Sequence, residues 1–129
     1  MMDIYAALAP HLAKCPGIES VYVNLPHDAR FTKLPAVHLQ SAGPARRLPA
    51  TQGLGVDVVG IDIDLYVPES MWQAGRGMAL AEIVRRHTNS FRAGVSHCWD
   101  VSRPEMLPVT RSADYARIGM TAEIAVPAF

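Results

Sequence analysis

The chain has 129 residues, of which 50% are hydrophobic, and it carries 12 Lys or Arg against 12 Asp or Glu. A chain of this length buries roughly two thirds of its unfolded surface, so we expect one domain over residues 1–129 that needs no metal or disulfide to fold. With a formal net charge of zero and no polybasic run, the sequence offers no obvious source of electrostatic attraction to nucleic acid. A neutral chain is also prone to self-association.

Two cysteines, Cys15 and Cys98, are too few for a disulfide framework and favour reduced thiols in an intracellular product. The first residues lack a charged region followed by an apolar one, so we expect no signal peptide. No apolar run approaches the roughly 20 residues that span a bilayer, so we expect no membrane segment.

A helix is predicted at residues 3–13, because Asp3 can cap its start and apolar residues recur every four positions. Pro10 within this range predicts a short or kinked helix. The apolar face consists of Ile4, Leu8 and Leu12.

Two strands are predicted next, at 21–25 and at 36–42, from alternating apolar residues bounded by prolines. Residues 43–55 are rich in Gly and Pro and lack periodicity, which predicts a long loop. A loop of about 12 residues in a compact domain is usually functional or mobile.

Residues 56–67 give the clearest strand pattern, with one apolar and one mixed face. The apolar face comprises Val59, Ile61, Ile63, Leu65 and Val67, and the other comprises Val58, Gly60, Asp62, Asp64 and Tyr66. Gly60 weakens the strand or marks a close backbone approach.

A helix is predicted at 71–91, capped by Ser70, with Gly75 and Gly77 either allowing close packing or fraying its first turn. Its apolar stripe comprises Leu80, Ile83, Val84, His87 and Phe91. A strand at 95–103, with Val95, His97, Trp99 and Val101 on one side, a loop at 104–112 and a long strand at 114–126 complete the chain.

These elements predict an α+β fold in the order α-β-β-β-α-β-β. Runs of consecutive strands are typical of antiparallel sheets. We therefore expect a mostly antiparallel sheet of about five strands with two helices packed on its apolar face.

Three aspartates, Asp57, Asp62 and Asp64, are the first candidates for a functional site. Asp62 and Asp64 share a strand face and could share a cation, but alternation alone explains a solvated polar face, which we favour. Arg117 and Glu123 on the last strand could be cross-strand neighbours of this acidic stripe.

The segment with His97, Cys98 and Asp100 could suggest a nucleophile activated by a histidine. In a strand, His97 and Cys98 face opposite sides, so we favour a buried His97 beside Trp99. The isolated cysteines also lack zinc spacing.

Other motifs are weak. The glycine segments lack the spacing of phosphate loops, and no hydrolase or metalloprotease motif occurs. Arg46 and Arg47 in the long loop could contact a partner, although such arginines are more often solvated. The terminal Pro127-Ala128-Phe129 could dock on this chain or on a neighbour. We therefore predict a non-enzymatic protein with no catalytic, cofactor-binding or metal-binding residue.

The layout of the chain resembles a family. A short helix leads to the segment VYVNLP, and a strand followed by paired arginines lies in FTKLPAVHLQSAGPARR. A helix follows the central strand VDVVGIDIDLYV, and a long strand follows the segment WDVSRPEMLPV. Over nearly its whole length the chain resembles the tail terminator proteins of long-tailed bacteriophages, which cap the tail tube and join it to the head connector. The chain departs from the expected pattern in the segment GRGMA, which lies inside the predicted helix at 71–91, where an Ala-rich helix is expected.

The resemblance implies a homohexameric ring around a channel through which DNA passes without specific binding. It implies contacts with the tail-tube protein on one side and a neck or connector protein on the other, no cofactor, and a place in the virion after assembly in the host cytoplasm. We hypothesise that Asp62 and Asp64 line the channel. We expect loop 43–55, with Arg46 and Arg47, to become ordered at an interface on assembly.

Several alternatives stay open. Another phage neck component, such as a head-completion or connector protein, or a tail-tube subunit would share most of these features. A small enzyme or ligand-binding domain would use His97, Cys98 or the aspartates in a concave pocket. A stand-alone interaction module would be monomeric at micromolar concentration.

Overall fold

A computed structural model of the chain describes residues 3–24, 33–48, 55–108 and 114–127. Helices lie against one face of a curled, mostly antiparallel sheet, so the predicted α+β class is confirmed. The elements are α1 (Ile4–Ala13), β1 (Ser20–Val23), β2 (Ala36–Ser41), β3 (Arg46–Leu48), β4 (Val56–Pro68), α2 (Glu69–Gln73), α3 (Arg76–Asn89), β5 (Arg92–Ala93), β6 (Ser96–Val101), β7 (Glu105–Leu107) and β8 (Tyr115–Pro127).

The strands β4 and β8 form the centre of the sheet. They pair antiparallel along all 13 residues of each, from Val56 opposite Pro127 to Pro68 opposite Tyr115. The sheet order is β1-β2-β4-β8-β6-β5, with β3 added beside β4 and β7 beside β8. β1 and β2 are parallel, and the other pairs are antiparallel.

The core lies between the sheet and the two longer helices, as the apolar patterns predicted. Asp3 caps α1 by accepting hydrogen bonds from the backbone of Tyr5 and Ala6, and the helix continues through Pro10. The core side chains from α1, α3 and β4 are Ile4, Leu8, Leu12, Leu80, Ala81, Val84, Ile61, Ile63, Leu65 and Val67. The facing residues of β8 are Ala116, Ile118, Met120, Ala122 and Ile124.

The predicted helix at 71–91 is two helices, α2 and α3, separated at Gly75. Gly75 has φ +77°, a left-handed conformation that interrupts the helix, and Ser70 lies inside α2 without a side-chain capping bond. A Cβ on Gly77 would lie 2.9 Å from Trp72 Cε3, so close packing explains this glycine. The predicted apolar stripe also differs at its end: Phe91 is buried, but it lies beyond the last residue of α3.

The predicted alternation of the strand at 95–103 is wrong. Ser96 and Cys98 face the core instead of His97 and Trp99, and a β-bulge between Cys98 and Asp100 then returns Val101 to the core face. Ser96, Cys98 and Val101 are buried, whereas Trp99 is 45% exposed.

The predicted loops contain short strands. Arg46 and Arg47 lie in β3, which pairs with β4, so the prediction of an unstructured loop at these two residues is wrong. Residues 49–54 of that loop lie outside the described residues. β7 lies in the predicted loop at 104–112, of which residues 109–112 are not described. Among the described helices, none is long and apolar enough to cross a membrane.

Candidate interaction surface on the polar face of the sheet

The face of the sheet opposite the helices, here called the polar face, carries most of the predicted site residues. Cross-strand partners project from the same face, so the strand register assembles their side chains into rows. Three adjacent rows are Ala36–Tyr66–Arg117–Leu107, His38–Asp64–Gly119–Glu105 and Gln40–Asp62–Thr121.

A partly buried ion pair occupies the middle of this face. Arg117 donates from Nη2 and Nε to Asp64 Oδ2 at 2.8 and 3.1 Å. The Asp64 side chain is 4% exposed and the Arg117 side chain 31%. The predicted proximity of Arg117 to the acidic stripe is confirmed. The negative charge of Asp64 is balanced by the positive charge of Arg117 in the same chain.

His38 lies beside the ion pair and is buried. Burial lowers the pKa of His38, because the protonated ring would lose its hydration. The Asp64 carboxylate acts in the opposite direction, and the Arg117 guanidinium lowers the pKa further. The histidine therefore favours its neutral form.

Gly119 allows β7 to cover the ion pair. A Cβ at this position would lie 2.3 Å from Leu107 Cδ1 and 3.4 Å from Asp64 Oδ1. Leu107 therefore occupies the space that a side chain at 119 would need. The Leu107 side chain and the Asp64 carboxylate both lie beside Gly119.

Asp62 differs from Asp64 in keeping its carboxylate partly open to solvent. It accepts a hydrogen bond from Thr121 Oγ1 at 2.9 Å. A cleft of about 400 Å³ opens beside it, between β7 and the segment Ser102–Arg103. Asp57 lies opposite Arg47 in the register of β3 and β4. The placement of Asp62 and Asp64 along a channel stays a prediction.

A second polar cluster, the Trp99–Glu123–Arg46 cluster, joins three strands. The Arg46 guanidinium pairs with Glu123 Oε2, and Trp99 Nε1 donates to the same oxygen at 3.2 Å. The bond from Arg46 and then the bond from Trp99 lower the pKa of Glu123. Gly60 lies opposite Glu123, and a Cβ there would lie 3.2 Å from the Ala42 Cβ, which explains this glycine as a close approach.

The structure does not bring His97, Cys98 and Asp100 into a catalytic arrangement. His97 is half-buried opposite Ala125, rather than buried as predicted. Burial raises the pKa of the Cys98 thiol to about 11, and its Sγ contacts the Asp100 carbonyl oxygen at 3.5 Å. Burial also raises the pKa of Cys15. Both thiols are poor nucleophiles, because the thiolate is the reactive form.

The described residues contain no group of three or more His, Cys, Asp or Glu side chains placed to hold a metal ion.

The contact between Trp99 and Glu123 was not predicted from the sequence, where Glu123 was grouped with the aspartates. Trp99 lies on the polar face because it alternates with the buried Cys98. The bulge that follows it, which keeps Val101 in the core, has no local signature in the sequence. Ala128 and Phe129 lie outside the described residues.

No family model and no curated protein matches this sequence. Among solved structures, a chain in the virion of a native gene transfer agent (GTA) particle is similar in fold. The superposition has a TM-score of 0.54 and 18% sequence identity, and it covers 94% of this chain and 84% of that chain. The likeness therefore extends over nearly the whole domain.

Proposed function

We propose that this chain is a structural protein of a phage-like virion, where it caps the tail tube as a ring and joins the tube to the head–tail connector. The observation that carries the proposal is the fold that it shares, over 94% of its length, with a chain of a gene transfer agent virion. The resemblance of its sequence layout to tail terminators supports the more specific role.

The exposed parts of the fold suit a subunit that assembles. β1 and β5 stand at the two ends of the sheet, and among the described residues each pairs with a strand on one side only. Open strand edges and exposed apolar side chains can be covered by neighbouring copies. A ring needs two complementary surfaces on each copy, and the two ends of the sheet supply candidates.

The chemistry of the site favours assembly over the enzymatic alternative. The nucleophile of that alternative, Cys98, has its pKa raised to about 11. The carboxylate of Asp64 is occupied by Arg117. These contacts give both groups structural roles.

The proposed partners are further copies in a hexamer, the tail-tube protein and a neck or connector protein. DNA passes through the ring without specific binding, which agrees with a formal net charge of zero. Asp62 is the better placed of the two predicted channel residues, since its carboxylate is less buried than that of Asp64. Assembly takes place in the host cytoplasm, and the finished ring belongs to the tail and neck of the virion.

Electron microscopy of the purified chain, alone and with tubes of the tail-tube protein, tests this role. A terminator forms rings of fixed subunit number, or binds one end of each tube. Long polymers of the chain alone would identify a tail-tube subunit instead. Rings that ignore tubes but bind a connector would identify another neck component. A monomer that binds neither would contradict the proposal.

A further inference from the structure

Two histidines join the C-terminal ends of α1 and α3 by a reciprocal pair of hydrogen bonds. His11 Nε2 lies 2.7 Å from the carbonyl oxygen of His87, and His87 Nε2 lies 2.6 Å from the carbonyl oxygen of His11. A carbonyl oxygen only accepts, so both Nε2 atoms carry a hydrogen and donate it. The two rings are stacked, with their centroids 4.3 Å apart and an angle of 26° between their planes.

The two carbonyl groups lie in the last turns of their helices, where a helix leaves its carbonyl groups without intrahelical partners. Each ring therefore completes the end of the other helix. Ser90 Oγ lies 3.3 Å from His11 Nε2 and donates to the His87 carbonyl oxygen at 2.6 Å. Because this nitrogen of His11 is already a donor, it does not act as a base for Ser90. The cluster therefore links the helices rather than activating a serine.

The residues beside the pair on its own helices carry positive charge or no charge. Lys14 follows His11 by one turn on α1, and Arg86 precedes His87 on α3, and both are exposed. Cys15, four residues after His11, is buried, and burial raises the pKa of its thiol, so it stays uncharged. Among the described residues, no carboxylate forms a salt bridge with either ring.

The nearby carboxylates of the helices and of β6 have other positions or partners. Asp3 caps the opposite end of α1, and Glu82 of α3 lies 3.9 Å from an arginine of its own helix. Glu69 of α2 accepts a hydrogen bond from a glutamine of the same helix. Asp100 of β6 lines a cleft with two arginines of α3.

The strands packed against the two helices supply no compensating charge either. Tyr22 of β1 and His38 of β2 are register partners and project from the polar face, away from α1. His97 of β6 alternates with buried residues and also projects from the polar face. The residues of β8 that face the helices are apolar. A second positive charge on the stacked rings is therefore left uncompensated.

We propose that the His11–His87 pair is a pH-sensitive link between α1 and α3, intact while at most one ring is protonated and weakened when both are. One positive charge is favourable at the C-terminal end of a helix, and a protonated ring keeps its Nε2 hydrogen bond. Two charges on stacked rings repel each other. In the unfolded chain the rings are far apart and bind both protons, so acid favours separation of the helices. Histidine changes its charge between about pH 8 and 5, so the link weakens as the pH falls through this range. The inference is independent of the proposed virion role.

Hydrogen exchange of the full chain at pH 7.5 and 5.0 measures the link. We expect the protection factors of the α1 amides to fall at least about 5-fold at pH 5.0, the factor that corresponds to two unit charges about 4 Å apart in water. His11→Gln and His87→Gln should each limit this fall to less than about 2-fold, because glutamine can donate to the same carbonyl oxygen without gaining a charge. His97→Gln is the matched control and should keep the wild-type fall, since His97 lies on the polar face.

A second measurement on the wild type decides the matter if a glutamine variant does not fold. Stacked rings give cross-peaks between their ring protons in a nuclear Overhauser spectrum, and these should be present at pH 7.5 and weaken at pH 5.0. The amides of β4 and β8 are the internal reference for a general loss of stability, and they should lose less protection than those of α1. Equal falls at α1 in the wild type and in both glutamine variants would overturn the inference. Ring-to-ring cross-peaks that persist unchanged at pH 5.0 would overturn it as well.

Discussion

The ion pair between the buried Asp64 and the partly exposed Arg117 should respond unequally to removal of its two members. Arg117→Ala leaves a carboxylate whose side chain is 4% exposed without its cation, which should destabilise the fold by about 3 kcal/mol. Asp64→Ala leaves Arg117, whose side chain is 31% exposed and can turn toward water. That variant should lose about 1–2 kcal/mol.

Urea unfolding at pH 7 measures these differences. The double variant should lose less than the sum of the single variants, since removing both members leaves no unpaired charge. The control is Glu82→Ala, which breaks an exposed pair with Arg85 at 3.9 Å and should change stability by less than about 0.5 kcal/mol. Equal losses in the two single variants, together with additivity in the double variant, would refute the proposed burial of Asp64.

Three further results are expected from the same face and core. Gly119→Ala should lose about 1–3 kcal/mol through its clash with Leu107, and adding Leu107→Ala should recover part of the loss; no recovery would contradict the contact. Because burial lowers the pKa of His38, the unfolded chain binds that proton more readily, so this contribution to stability is full above pH about 6.5 and falls at lower pH. His38→Gln should show a smaller drop in urea midpoint between pH 7.5 and 5.5, and an equal drop would contradict this assignment. Cys15 and Cys98 should react with a thiol reagent at pH 8 only after unfolding, because burial raises both pKa values; one rapidly labelled equivalent in the native chain would contradict their burial.

The long elements were predictable because their patterns repeat many times. β4 and β8 alternate over 13 residues each, so the sequence alone identified their bounds to within one or two residues and their core faces. α1 was equally clear, since Asp3 and three apolar residues agreed on its start and its buried face.

The short strands were not predictable, because a segment of two or three residues has no period to detect. β3, β5 and β7 exist through pairing with longer strands, which depends on the tertiary structure. The break at Gly75 and the bulge after Cys98 have the same origin: each is a local departure from a regular pattern that the rest of the fold stabilises.

The candidate site was predictable in part. Sequence alternation placed Asp62, Asp64 and Arg117 near each other, and the hydrogen bonds between Asp64 and Arg117 agree with that placement. Alternation could not show that Asp64 is buried, because its neighbours His38, Arg117 and Gly119 come from other strands. Residues so distant in sequence have no shared local signal.

Quantitative mass spectrometry of purified virions tests the central claim most directly, with the chain epitope-tagged in the cells that produce them and located by immunogold labelling. We expect a small fixed number of copies per particle, equal to one ring, with label at a single point between head and tail. Absence of the chain from particles, or label spread along the tail, would contradict it.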